Sequence, residues 1–156
     1  ARASGLMDPA TGLFTRELFA THLSRLAQAA RIRNRPLSVC VLKVSERQEV
    51  AEARAQGWLD RAIPQIGAMI GRLVRVEDTA ARLSHEVFAL ALPATPAAAA
   101  RAAGERIAAV IGCTAFEAGD NRPPFVVEFD IGVAEVTPAH GAGRALEEAA
   151  RRAMAT

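Results

Sequence analysis

Arg75 and Asp78 are the two residues of this chain whose types and spacing point most directly to chemistry. They stand three positions apart near the end of a predicted helix, so both side chains can project in the same direction. A guanidinium can donate two parallel hydrogen bonds to O6 and N7 of a guanine, and a carboxylate can accept from its N1 and N2. The pair could therefore recognise guanine. The alternative is an ordinary surface ion pair, which contributes about 0.2–1 kcal/mol.

The other residues with catalytic or metal-binding side chains are scattered. His22, His85 and His140 are too far apart in sequence to indicate a metal site or a catalytic triad. Cys40 and Cys113 lack metal-ligand spacing and a CxxC motif, which favours two buried thiols in a reducing compartment.

Length and composition favour one folded domain over residues 1–156, since 51% of the residues are hydrophobic and 23% are charged. The net charge of +2 and the lack of an arginine-rich block argue against nucleic-acid binding. No apolar stretch is long enough to span a bilayer and no signal peptide is evident, so we expect a cytoplasmic protein. Because the chain begins with Ala1, we expect a C-terminal fragment of a longer multidomain signalling protein.

The spacing of apolar residues predicts an α/β domain with a mixed central sheet of about five strands flanked by helices. A tight turn at Ser84 and His85 should join two of the strands. Pro64 removes a backbone donor inside a predicted helix and should shift its start or kink it. The predicted helices cover residues 13–30, 59–73, 97–111 and 144–154, and the predicted strands cover residues 36–44, 80–83, 87–92 and 125–133.

Residues 75–88 resemble the signature region of the GGDEF family, bacterial enzymes that condense two GTP into cyclic di-GMP. In that family an RxxD pair lies five residues before the GGDEF loop and captures the product at an inhibitory site. This chain has that spacing, and its only RxxD is at Arg75 and Asp78. Residues 8–16 also resemble the family's DxLTGLxNR opening turn. The resemblance implies a nucleotide cyclase-like fold and a cyclic di-GMP site at the pair.

The resemblance places two unsuitable residues at the family's metal site. Joining two nucleoside triphosphates requires a divalent metal and hard oxygen ligands. Lys43 stands where the family has a metal-binding aspartate, and Ser45 stands where a second one is common. An ammonium there would oppose Mg²⁺ by several kcal/mol even at an effective dielectric of about 20. Mg²⁺ is therefore not expected.

The loop at the family's catalytic position reads Ser84-His85-Glu86-Val87-Phe88. Side chains at Ser84 and His85 replace two glycines that let the backbone lie against GTP. Val87 replaces a glutamate that helps to bind metal and activate the nucleophile, so only Glu86 and Phe88 match the family. We expect a degenerate loop without catalytic residues, and a protein that is not an enzyme.

The residues that would read guanine at the same site match the family only in part. Ala51 stands where the family has a guanine-reading asparagine, whereas Asp60 matches the aspartate that acts together with that asparagine. If the strands are neighbours, Lys43 could replace the metal charge beside Glu86. Alternatively, Lys43 extends to solvent.

The resemblance also implies partners. Arg106 corresponds to an arginine that contacts ligand from a second domain, so cyclic di-GMP would bind as a stacked pair bridging two chains and promote a homodimer. The alternative for Arg106 is a solvated helix face. Within the family the chain most resembles PopA-type effectors, in which receiver domains precede an inactive GGDEF domain that recruits an adaptor for cell-cycle proteolysis. The other hypotheses are a nucleotide-silent dimerisation or docking domain and a residual diguanylate cyclase.

Overall fold

The structure is a computed structural model that describes residues 7–139 and 141–155. The chain contains both helices and strands, as the apolar periodicity predicts, and the α/β class is confirmed. In chain order the elements are α1 (Arg16–Arg33), β1 (Leu37–Val44), α2 (Gln48–Ala55), α3 (Trp58–Leu73), β2 (Thr79–Ser84), β3 (Val87–Pro93), α4 (Ala97–Gly112), β4 (Phe129–Glu135) and α5 (Ala142–Met154).

The sheet has four strands in the described part of the chain, in the order β2-β3-β1-β4, and each pairing is antiparallel. This is close to the expected number of about five. Phe14 adds a one-residue parallel bridge to Ala81 at the β2 edge. The Phe14 amide donates to the Ala80 carbonyl at 3.2 Å, and the Arg82 amide donates to the Phe14 carbonyl at 2.9 Å. The segment before α1 therefore covers part of an otherwise open strand edge.

The central strand β1 separates two hydrophobic cores. Successive side chains of a strand point to opposite faces, so the even-numbered and odd-numbered residues of β1 enter different layers. Cys40, Leu42 and Val44 pack with residues of α2, α3 and α4. Leu37, Val39 and Val41 pack with residues of α1 and α5. Because both faces are covered, the strand is apolar almost throughout, as the sequence predicts.

Helix α2 is an element that the sequence analysis missed. Residues 48–55 have no long apolar stripe, and among residues 50–55, whose burial the structure describes, Val50 and Ala53 are buried. The available signals were the alanine-rich composition and Gly57, which adopts φ of 81° shortly after the helix.

The structure differs from the predictions at Pro64 and at the start of the last strand. Helix α3 begins at Trp58 and continues through Pro64, which lies on its exposed side. A carbonyl that loses its helical donor there can bind water instead. Strand β4 begins at Phe129 rather than at residue 125, because Phe125 exchanges backbone hydrogen bonds with Phe116 at 2.8 and 2.9 Å.

In the described part of the chain, no helix combines the length and the hydropathy needed to cross a membrane.

Contact between β4 and α5 depends on a residue without a side chain. A Cβ at Gly132 would lie 2.0 Å from the Ala149 carbonyl oxygen and 2.4 Å from the Ala153 nitrogen. Gly132→Ala should therefore destabilise the domain by about 1–3 kcal/mol in urea unfolding, because the helix must move away from the sheet. Gly143, inside α5, is the matched control because a Cβ there meets nothing within 4 Å. Gly143→Ala should stabilise by about 0.5–1 kcal/mol, and equal effects of the two changes would contradict this account.

Candidate ligand-binding site

Arg75 and Asp78 form a closed ion pair in the turn between α3 and β2. The Asp78 amide donates to the Arg75 carbonyl at 3.0 Å, and this reversal brings the two side chains together. Asp78 Oδ2 accepts from the Arg75 amide at 2.9 Å and from Nε at 3.1 Å, while Oδ1 accepts from Nη2 at 2.9 Å. The Asp78 side chain is 3% exposed, whereas that of Arg75 is 47% exposed. The arginine therefore covers the carboxylate.

The Arg75 guanidinium has partners besides Asp78. Its Nη2 donates to Thr95 Oγ1 at 2.8 Å and to the Pro93 carbonyl at 3.2 Å. Its Nη1 lies 3.4 Å from a carboxylate oxygen of Glu77. The hydrogen bonds to Asp78 raise the pKa of Arg75, against partial burial, which lowers it. The guanidinium stays charged, as recognition of a guanine edge requires.

A cavity of about 240 Å³ lies beside this pair. Arg75, Asp78 and Arg106 all line it, and much of the remaining wall is apolar. Arg106 lies in α4 and is exposed, and its side chain has no hydrogen bond or ion pair to any residue within the described ranges. The fold thus brings the three residues predicted to bind ligand to one cavity on one chain. Residues from the end of α3, from β3, from the β3–α4 connection and from α4 complete the wall: Leu73, Val74, Leu92, Ala94, Thr95, Pro96, Ala99, Ala103 and Ile107.

The loop at the family's catalytic position is a tight hairpin turn at the far end of the sheet. Strand β2 ends at Ser84 and β3 begins at Val87, so His85 and Glu86 form the turn. Phe88 is fully buried in the core. His85 Nε2 contacts Asp60 Oδ1, and both side chains are exposed. Asp60, which corresponds to the aspartate that partners the family's guanine-reading asparagine, is therefore engaged with the loop itself.

Glu86 is paired with Arg54 of α2. Arg54 Nε lies 2.9 and 3.2 Å from the two carboxylate oxygens, and Nη2 donates at 2.7 Å. The side chains are 32% and 17% exposed, respectively. The hydrogen bonds to Glu86 raise the pKa of Arg54, while burial lowers it. Sequence reasoning missed Arg54 because it missed the helix that carries it.

The predicted pairing of Lys43 with Glu86 is wrong. Lys43 lies opposite Val87 in the β1–β3 register, on the face of the sheet that α1 and α5 cover. Glu86 directly precedes Val87, and its side chain reaches α2 on the other face of the sheet, because neighbouring side chains of a strand alternate. Lys43 Nζ instead lies 3.8 Å from Glu46, and its side chain is 20% exposed.

The residues at the family's metal position do not fit a divalent cation. Lys43 presents an ammonium, and the Glu86 carboxylate is occupied by Arg54. Ser45 is buried, and its amide donates to the Glu128 carbonyl at 2.8 Å. Among the residues that the structure describes, no three acidic, histidine or cysteine side chains are grouped as metal ligands would be. Neither Lys43 nor Ser45 supplies the carboxylate oxygens that Mg²⁺ requires.

A second, larger cavity of about 800 Å³ lies beside Lys43 and Val87, against α5. Arg16, Arg144 and Arg151 add positive charge to its wall, while two glutamates of α5 oppose it. Its charges are therefore mixed.

The remaining candidates from the sequence do not form a site. His22 packs its ring edge-on against Phe14, with centroids 5.6 Å apart. His140 lies outside the described residues. Cys40 is buried, and burial raises the pKa of its thiol to about 12. Cys113 is exposed, contrary to the prediction of two buried thiols, because it follows the last turn of α4.

The opening turn is tied to the hairpin that carries the loop. Asp8 accepts hydrogen bonds from the Thr11 amide at 3.0 Å and hydroxyl at 2.7 Å, and its Oδ2 lies 3.3 Å from Arg82 Nη1. Burial raises the pKa of Asp8, but Thr11 and the Arg82 charge together outweigh it, so the pKa lies below its ordinary value. Arg82 Nη2 also donates to the His85 carbonyl at 3.0 Å. Residues 8–16 thus have a structural role.

The chain belongs to the GGDEF family, since the family model for the diguanylate cyclase GGDEF domain matches residues 5–156. Solved structures share the fold. The FimX GGDEF domain of Pseudomonas aeruginosa has a TM-score of 0.82 and 21% identity, with 96% of this chain and 92% of that chain covered. The GGDEF domain of DgcB from Caulobacter crescentus, in complex with cyclic di-GMP, has a TM-score of 0.84 and 22% identity over 96% and 86% of the two chains. SiaD of Pseudomonas aeruginosa, in complex with its activator SiaC, has a TM-score of 0.85 and 21% identity over 99% and 58%.

The ion pair at Glu86 gives a stability prediction. Arg54→Ala leaves a largely buried carboxylate without its partner and should destabilise the domain by about 1–3 kcal/mol in urea unfolding. Lys43→Ala is the matched control, because the Lys43 ammonium pairs with the exposed Glu46 and its loss should cost less than about 1 kcal/mol. If Lys43→Ala destabilised the domain more than Arg54→Ala, Lys43 rather than Arg54 would be the partner of Glu86.

Proposed function

We propose that this domain binds cyclic di-GMP through Arg75 and Asp78, with Arg106 assisting, and does not synthesise it. The observation that carries the proposal is the single cavity that these three residues line. A charged guanidinium and a carboxylate side by side match the two hydrogen-bonding edges of guanine. The DgcB structure, which shares the fold, contains the same ligand.

Arg75 and Asp78 hydrogen-bond to each other with the same groups that would recognise a guanine. The Asp78 carboxylate accepts from Arg75 at both oxygens, and Arg75 shields it from solvent. A guanine whose N1 and N2 donate to Asp78 would replace the arginine there. Arg75 would then turn its own donors to O6 and N7, so neither side chain loses its hydrogen bonds.

The proposed inactivity rests on the other end of the sheet. Lys43 and Val87 lie opposite each other where metal and nucleophile activation would be needed, and Glu86 is neutralised by Arg54. Neither an ammonium nor an isopropyl group can coordinate a metal or accept a proton from a hydroxyl at neutral pH. We therefore propose a cytoplasmic effector rather than a synthase.

The proposal extends to partners. Arg106 is exposed and unpaired among the described residues, so it remains available to a ligand shared with a second copy. Ligand binding would then promote a homodimer, and a longer PopA-type protein with upstream receiver domains would pass the signal to an adaptor. A domain that binds no nucleotide and serves only docking or dimerisation is the alternative.

Isothermal titration calorimetry with cyclic di-GMP tests the binding site. Arg75→Ala and Asp78→Asn should each weaken binding by roughly 1–3 kcal/mol or more, and Arg106→Ala should weaken it less. Arg72→Ala and Arg101→Ala are matched controls, because both arginines are exposed and lie outside the cavity, Arg72 in α3 just before the turn with Arg75 and Arg101 in α4 with Arg106. Absence of binding to the unaltered chain would support the docking alternative, and equal losses in the controls would indicate nonspecific charge attraction.

Synthase activity is tested separately. The unaltered chain with GTP and Mg²⁺ should form no cyclic di-GMP above a protein-free blank, as measured by chromatography. Lys43→Asp with Val87→Glu restores two carboxylates but leaves Ser84 and His85 crowding the loop, so it should remain inactive as well. Robust turnover by the unaltered chain would overturn the argument from Lys43 and support the residual-cyclase hypothesis.

A further inference from the structure

We propose that Thr95 is a positioning residue that holds the Arg75 guanidinium in the cavity while a ligand takes over Asp78. The inference deepens the proposed function and rests on it for its ligand part. It starts from the contact between Thr95 Oγ1 and Arg75 Nη2 at 2.8 Å, which joins the β3–α4 connection to the turn after α3.

The direction of the hydrogen bonds at Thr95 is determined by its neighbours. The Thr95 hydroxyl donates to the Pro93 carbonyl at 2.8 Å, which uses its only proton. Its remaining lone pair therefore faces Arg75 as an acceptor. Thr95 is 7% exposed, so water cannot readily replace this acceptor.

Thr95 is itself held by the centre of the sheet. Its carbonyl accepts from the hydroxyl of Ser38 in β1 at 2.8 Å, and Ser38 is fully buried. The preceding residue, Ala94, has φ of 53°, in the left-handed region that alanine rarely adopts. The connection thus has one defined conformation, and the acceptor at Thr95 is rigid relative to β1.

This arrangement matters because a carboxylate has about four acceptor sites, so Asp78 cannot accept two hydrogen bonds from guanine and keep all three from Arg75. When guanine displaces the guanidinium from Asp78, the contacts that the guanidinium retains among the described residues are Thr95, the Pro93 carbonyl at 3.2 Å and the half-exposed Glu77. A free arginine side chain has many rotamers, and restricting them costs free energy on binding. Thr95 supplies a short hydrogen bond that is compatible with the ligand, so Arg75 is oriented before the ligand arrives.

The test compares Thr95→Val, which keeps the shape and removes the hydroxyl, with Thr95→Ser, which keeps the hydroxyl. Without ligand, the ¹⁵N–¹H NMR signal of Arg75 Nε, assigned with Arg75→Lys, should shift towards the signals of solvated arginines and broaden in Thr95→Val. It should stay near its original position in Thr95→Ser. In calorimetry, Thr95→Val should weaken cyclic di-GMP binding about tenfold and Thr95→Ser by much less. Thermal unfolding of each variant shows whether the fold is intact.

The outcomes separate the two proposals. If Thr95→Val binds cyclic di-GMP as tightly as the unaltered chain, or leaves the Arg75 signal unmoved, the positioning role is refuted while the binding function stands. If the unaltered chain does not bind the ligand, the proposed function fails, and the ligand part of this inference fails with it. The Arg75 signal then still decides whether Thr95 orients the guanidinium. If Thr95→Ser, which keeps the hydroxyl, loses as much affinity as Thr95→Val, the affinity does not depend specifically on the hydroxyl, which also refutes the role.

Discussion

The structure depends on the alternation of side chains along β1, which is covered by helices on both faces. Since every second residue enters the same layer, a one-residue step along the strand transfers a side chain from one core to the other. This constraint separates Lys43 from Glu86, although the register places them one residue apart across neighbouring strands. It also determines which helix can supply a cation to each of them.

The same strand separates the cavity at Arg75 from the loop at residues 84–88. Ser38, near the start of β1, holds the connection that carries Thr95, and Lys43, near its end, lies beside the loop at residues 84–88. Five residues of strand span about 17 Å. Changes that far apart are usually independent in energy. Substitutions at the loop can therefore accumulate without disturbing the cavity at Arg75, as the proposed function requires.

The Glu86 side chain of the loop at residues 84–88 and the Arg82 side chain of its hairpin have partners within the chain. A carboxylate left in a partly buried turn without metal would be costly. Arg54 satisfies Glu86 with three hydrogen-bond contacts, and Asp8 with Arg82 ties the opening turn to the hairpin. Ion pairs within the chain thus stabilise the hairpin that a metal-dependent enzyme would use for catalysis.

The sequence by itself determined the fold class, the buried central strand and the RxxD pair, because apolar periodicity and residue spacing are local properties of the chain that can be read without a structure. It did not determine helix α2, whose apolar residues are too few to form a stripe, or the cation that satisfies Glu86, which depends on that helix. The acceptor that Thr95 provides for Arg75, 17 residues further along the chain than Asp78, was decided by tertiary structure alone. Such a contact arises from how strands and connections meet in space, and no local pattern in the sequence specifies it.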